Sequence, residues 1–80
     1  MPLSPLPDDS VVARRREIGE NIRDIRRTAG LSQEAVALAA GIERPTLVRI
    51  EAAQASARID TLIRIAAVLD VELSVLVRKR

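Results

Sequence analysis

The sequence predicts an all-α fold, a compact four- to five-helix bundle. Apolar residues recur at three- and four-residue steps through most of residues 11–69. Gly30, Ser32 and Gly41 punctuate that pattern where helices would stop or start. The chain also contains no Phe, Trp, Tyr, His or Cys, so its core must be aliphatic and tightly layered without a disulfide.

Taken in order, Pro2, Pro5 and Pro7 keep residues 1–10 out of regular structure, giving an expected disordered arm, with Ser10 placed to cap the first helix. Val11, Ile18, Ile22, Ile25 and Ala29 then form one helical stripe, with Arg14, Arg15, Arg16, Arg23 and Arg27 mostly elsewhere and Gly30 as the stop. Ser32 caps a short second helix, about 33–39, whose apolar side is Val36, Ala37 and Ala40. Gly41 supplies a reversal that needs φ > 0, Ile42 plugs the corner, and Pro45 falls in the first turn of a third helix, where its missing N–H costs nothing.

That third helix, about 44–52, turns Leu47 and Ile50 inward and Pro45, Val48, Arg49 and Ala52 outward, with Arg44 on the exposed flank. A fourth, about 59–69, repeats Ile59, Leu62, Ala66 and Leu69. Residues 72–77 are ambiguous. Leu73, Val75 and Val77 alternate as a strand would, and Val71, Val75 and Leu76 share the face of a short helix. The domain is expected to span 11–77, with a basic tail at 78–80.

Eighty residues make one small domain, and a chain of that size buries only about 60% of its unfolded surface. Without His or Cys it can write neither a histidine base, a thiol nucleophile nor a Cys/His metal site, so we expect no enzyme, no metal and no cofactor. No apolar run approaches the ~20 residues of a bilayer span, and the N-terminus lacks the pattern of a signal peptide, so the expectation is a cytoplasmic protein. Net charge is +2, and 12 of the 13 cations are Arg, which favours fork-shaped contacts to phosphate or carboxylate.

A short helix, a glycine corner and a second short helix locked by Leu47 and Ile50 describe a helix-turn-helix, whose second helix enters the DNA major groove. Over residues 17–77 the stretches "IGENIRDIRRTAGLSQE", "VALAAGIERPTLVRIE" and "IDTLIRIAAVLDVEL" resemble the phage repressor and Cro (Xre-type) proteins, with Gln33, Ala37, Gly41, Ile42, Leu47, Ile50 and Glu51 at that family's pattern positions. The resemblance implies a lambda-repressor-like bundle. It also implies that Gln33 touches phosphate and steadies the recognition helix, that Arg44, Thr46 and Arg49 reach bases and phosphates, and that Arg26 and Glu51 form a buried ion pair between the first and third helices. Val48 and Pro45 lie on the same face, where a thymine methyl suits either. For Pro45 the structural role in the first turn ranks higher. Three residues depart from the family pattern: Glu43 replaces a Ser or Thr cap, Ala53 a glycine, and Arg58 a Ser.

The expected function is a sequence-specific regulator, a repressor, acting as a homodimer on palindromic double-stranded DNA. Ile63, Ile65, Val71, Leu73, Val75 and Val77 exceed what a small core needs, which places the dimer interface in the C-terminal third. Two alternatives stand beside this: an antitoxin that binds its operator and a toxin, and a protein-interaction module with a retired DNA-binding face.

Overall fold

The computed structural model describes residues 3–80 and contains five helices with no strand among those residues: α1 (Asp8–Thr28), α2 (Gln33–Ala40), α3 (Arg44–Glu51), α4 (Ile59–Leu69) and α5 (Leu73–Leu76). Helix α2 packs on α4 and α3, α1 lies across α3, α4 and α5, and α5 closes against α4. Their shared core is Ile22, Val36, Ala37, Ala40, Leu47, Ile50, Leu62, Ile65, Ala66, Leu69 and Leu76, all aliphatic.

Helix α1 begins at Asp8, earlier than the Ser10 cap implies. Pro7, at φ −58° and ψ 147°, is the residue before the first turn, and its carbonyl accepts from the Ser10 and Val11 N–H groups at 3.0 and 3.4 Å. Asp8 and Asp9 place carboxylates at the positive end of the helix dipole, which compensates for the missing side-chain cap. Of the expected arm, residues 8–10 are therefore helical, Leu3–Pro7 are irregular and exposed, and Met1 and Pro2 lie outside the described residues. At 21 residues α1 is ~31 Å long by its rise of 1.5 Å per residue, far longer than the eight-residue α2 and α3. It overhangs the core at both ends, so Val11 and Ala29 are exposed although they share the stripe of Ile18, Ile22 and Ile25.

Helices α1 to α4 stop in the same way. The left-handed residues Gly30, Gly41, Ala53 and Asp70 have φ of 74°, 70°, 59° and 57°, and the N–H of the next residue folds back onto a carbonyl five positions earlier. These bonds are Leu31 to Arg26, Ile42 to Ala37, Gln54 to Arg49 and Val71 to Ala66, between 2.8 and 3.1 Å. Leu31, Ile42 and Val71 then drop onto the core, so each stop also seals an edge of it. After α3 the residue in that place is Gln54, which is exposed.

Gly19 fixes the crossing of α1 over α3. A Cβ there would stand 2.6 Å from the carbonyl oxygens of both Ile50 and Glu51, so only a hydrogen leaves the helices room to approach.

The C-terminal segment is helical at Leu73–Leu76, not a strand, and Leu76 is fully buried. A three-residue turn after Leu69 leaves no neighbouring strand to pair with, and helix is the state that satisfies the backbone locally. Beyond it the chain is clasped to α1. Asn21 donates to the carbonyls of Leu76 and Arg78 at 3.0 and 2.8 Å, and Arg14 to that of Val77 at 2.7 Å. Arg80 reaches Glu20 at 3.2 Å and Asp24 at 2.7 Å, donates from Nη1 to Asn21 at 2.9 Å, and gives its backbone N–H to Glu17 at 2.8 Å. Ile65, expected from the sequence to be surplus to a small core, is instead fully buried and belongs to it.

Both the left-handed turn at Ala53 and the clasp are open to test. Ala53→Gly removes a Cβ from a left-handed backbone and is expected to raise stability by about 1 kcal/mol, which for a domain of this size is a Tm increase of roughly 4–8 °C by far-UV circular dichroism. An unchanged or lower Tm would show that Ala53 carries no such strain. In the clasp, the Arg80 N–H holds the Glu17 carboxyl below its ordinary 4.5, and the Arg80 guanidinium holds Asp24 below 3.8. Depressed folded values mean that the clasp is complete above these ordinary values and is lost as pH falls through the lowered ones. The Arg80 amide resonance should therefore titrate with a midpoint under 4.5, the ordinary Glu17 value, and a midpoint at or above it would mean that the clasp does not form in solution.

Candidate nucleic-acid interface

The cationic surface is built on two short helices set by different means. Helix α2 starts at Ser32, whose hydroxyl accepts from the Ala35 N–H at 3.0 Å, and Glu34 lies in the first turn. It ends at Gly41, and α3 restarts three residues later. Glu43 is the residue before α3 and offers no side-chain cap. Its carbonyl accepts from Thr46 and Leu47 at 3.0 and 3.3 Å, while Pro45 in the first turn has no N–H to satisfy.

Leu47 and Ile50 anchor α3 in the core, which leaves Arg44, Pro45, Val48, Arg49 and Ala52 exposed and Thr46 half-buried on the flank. Arg44, Pro45, Val48 and Arg49 border one shallow depression together with Gln54. Gln54 escapes a reading of the sequence because its position depends on the turn at Ala53, which folds the next residue back over the end of α3. The signal available was Ala53 itself, standing where a glycine is usual.

Behind this face Arg26 of α1 and Glu51 of α3 form a two-pronged ion pair, Nε to Oε2 at 2.7 Å and Nη2 to Oε1 at 2.9 Å, with side chains only 9% and 3% exposed. The guanidinium also donates from Nη1 to the Leu31 carbonyl at 2.9 Å, tying the end of α1 to the same point. Hydrogen bonding to Glu51 raises the Arg26 pKa above its ordinary value, so the guanidinium stays charged at any ordinary pH. Gln33 joins the pair, donating from Nε2 to Glu51 Oε1 at 3.1 Å. A primary amide has two N–H donors, so one remains for a group outside.

Gln33 also lines a second depression with Arg23, Arg26, Arg27, Ser32, Glu34 and Arg44. Helical periodicity places Arg23 and Arg27 only on the polar side of α1, with no partner specified. Their four-residue spacing in the last two turns, just before the Gly30 stop, is the signal that brings both beside the start of α2.

The residues expected at a dimer interface divide. Ile63, which is 50% exposed, Val71 and Leu73 line one groove with Ala66, Ala67, Asp70 and Glu72 between α4 and α5. Val75 and Val77 lie outside that groove and are partly buried, Val77 against the protein's own core. Among the described residues there is no cluster of acidic, His or Cys side chains able to hold a metal, and no helix is long and apolar enough to cross a membrane.

A capped short helix, a left-handed corner and a second helix with an anchored inner face and a cationic outer face define a helix-turn-helix transcription-regulator domain. The helix-turn-helix family model matches residues 22–76, and the chain belongs to the phage repressor and Cro (Xre-type) helix-turn-helix family. Among solved structures, the restriction-modification controller protein C.AhdI from Aeromonas hydrophila is 30% identical, with a TM-score of 0.78 over 80% of this chain and 97% of that one. An HTH_3 family transcriptional regulator from Vibrio cholerae is 31% identical with a TM-score of 0.77, over 81% of this chain and 36% of that longer one. A hypothetical transcription factor, NHTF, from Neisseria is 26% identical with a TM-score of 0.77, over 96% of this chain and 86% of that one. No curated protein sequence matches.

Removing one partner of the buried pair leaves an uncompensated charge, so Glu51→Gln is expected to cost about 3–5 kcal/mol in urea denaturation monitored by circular dichroism. Replacing both partners, Arg26→Met with Glu51→Leu, should recover much of that loss. A single variant as stable as the parent would mean that the pair does not hold α3 in place.

Proposed function

We propose that the chain is a sequence-specific DNA-binding transcription regulator, a binding protein and not an enzyme, which acts as a homodimer on a palindromic operator and represses. The observation that carries this reading is the outer face of α3. Arg44, Val48 and Arg49 stand exposed on one side of a helix whose opposite side is fixed by Leu47, Ile50 and Glu51. An arginine there can pair with the O6 and N7 edge of guanine, a contact worth roughly 1–3 kcal/mol of discrimination, and Val48 offers an apolar surface to a thymine methyl. Gln33 keeps one amide hydrogen for a backbone phosphate while the other holds Glu51, so the same side chain would position the DNA and brace the reading helix. Thr46 and Pro45 border that contact from the flank and the first turn.

The likeness to C.AhdI, at 30% identity over 80% of this chain, supports control of a restriction-modification system as the specific reading. The groove lined by Ile63, Val71 and Leu73 supports two-fold pairing, with the two copies of α3 one helical turn apart. The antitoxin reading draws slight support from a strand-like alternation of Leu73, Val75 and Val77, and the helix at Leu73–Leu76 does not add to it. A retired DNA-binding face keeps one observation in its favour: Glu43 puts an exposed, uncapped carboxylate at the start of α3, close to where phosphates would run.

Selection from random duplex DNA at moderate salt tests the reading. An enriched inverted repeat is the expected result, and Arg49→Ala should weaken its binding and relax preference at one position in each half-site. No enrichment by the folded protein would favour the retired face.

A further inference from the structure

The depression between the end of α1 and the starts of α2 and α3 has a volume of about 450 Å³ and is lined by Arg23, Arg26, Arg27, Ser32, Gln33, Glu34 and Arg44. Its charge is not balanced from within. Arg26 is committed to Glu51 and to the Leu31 carbonyl, which leaves the guanidiniums of Arg23, Arg27 and Arg44 facing a single carboxylate, Glu34. Among the described residues none of those three arginines takes part in an ion pair, and the Nε of Arg23 is buried with no hydrogen-bond partner.

The reason these arginines stay uncommitted lies on the same helix. The acidic residues of α1 that could engage them are already occupied: Glu17 by Arg14 and the Arg80 N–H, Glu20 by Arg80, and Asp24 by Arg80. Arg80 thus engages Glu20 and Asp24, and the arginines in the last two turns of α1 form no ion pair with them.

We propose that Arg23 and Arg27 make the end of α1 a second anchor for the DNA backbone, so that a phosphate is gripped between α1 and Arg44 and the footprint extends beyond the two helices of the motif. The proposal rests on the DNA-binding reading above and adds residues outside the motif to it. A guanidinium suits this role because its planar fork meets two phosphate oxygens at once. Such contacts set affinity and register without reading bases. Arg80 contributes indirectly, by pairing with Glu20 and Asp24 and so partly offsetting the carboxylates nearest the arginines that grip the DNA.

Because backbone contacts are independent of sequence, the probe is a random-sequence duplex of about 30 base pairs, bound by the full chain and monitored by fluorescence anisotropy across a salt series. Each phosphate contact contributes about 0.9 to the slope of log affinity against log salt. Arg23→Gln with Arg27→Gln should lower the magnitude of that slope by about 1–2. The control, Arg64→Gln with Arg78→Gln, removes the same charge from outside the depression and should change it less. Glu34→Gln removes the opposing carboxylate and should tighten binding several-fold, a gain that a folding defect cannot imitate.

An unchanged slope in the Arg23/Arg27 variant, or an equal loss in the control, would overturn the anchor while leaving the regulator reading intact. A parent chain whose binding does not depend on salt would instead overturn the regulator reading itself.

Discussion

The pair between Arg26 and Glu51 is the contact on which the arrangement of this small protein turns. It joins the longest helix to the helix that would read DNA, at a point where both side chains are almost wholly out of water. Two charges in that position are tolerated only because each is met by hydrogen bonds in the right directions. The Arg26 guanidinium forks onto Glu51 and caps the end of its own helix through Leu31, and Glu51 receives Gln33 from the second helix. Three helices therefore meet at one carboxylate. An aliphatic core without aromatic rings supplies attraction but little direction, and this polar point supplies the direction.

Around it the helices are kept short and separate by repeated backbone stops. Each of the first four ends with a left-handed residue, and in three of the four cases the next residue, Leu31, Ile42 or Val71, is apolar and returns to the core. The device converts a helix end, where carbonyls would go unpaired, into another packing contact. At the end of α3 the pattern changes: Ala53 takes up the left-handed turn at some cost, and its successor is the exposed Gln54. The chain gives up a sealing contact beside the recognition helix and gains a polar side chain on its outer face.

The helix order, the corner at Gly41 and the inward Leu47 and Ile50 are legible in the sequence, because each is a local rule of spacing or backbone conformation. The ion pair is legible only through family resemblance, since nothing in spacing alone joins residues 26 and 51. The features that escape a sequence are decided by distance in space or by small balances at a helix end. The start of α1 moves to Asp8 because two carboxylates favour a helix start even without a cap. Ile65 looks surplus by periodicity alone, yet a helix of 11 residues buries more than one stripe when α2, α1 and α5 all pack against it. The fate of Arg80 depends on Asn21, Glu20 and Asp24 in the middle of the first helix, and no pattern in the last three residues announces it.

Gly19 touches nothing that would meet DNA, yet the space its missing side chain leaves is filled by the carbonyls of Ile50 and Glu51 at the end of α3. Steric exclusion there, together with the ion pair between the same two helices, sets the angle at which α3 leaves the body. In a pair of copies related by a two-fold axis, any change of that angle is made twice, once on each side of the axis, so the two reading helices would move together relative to the groove. In such a pair the spacing of an operator would be recorded in part by a single methyl group absent from α1, behind the helix that would read it.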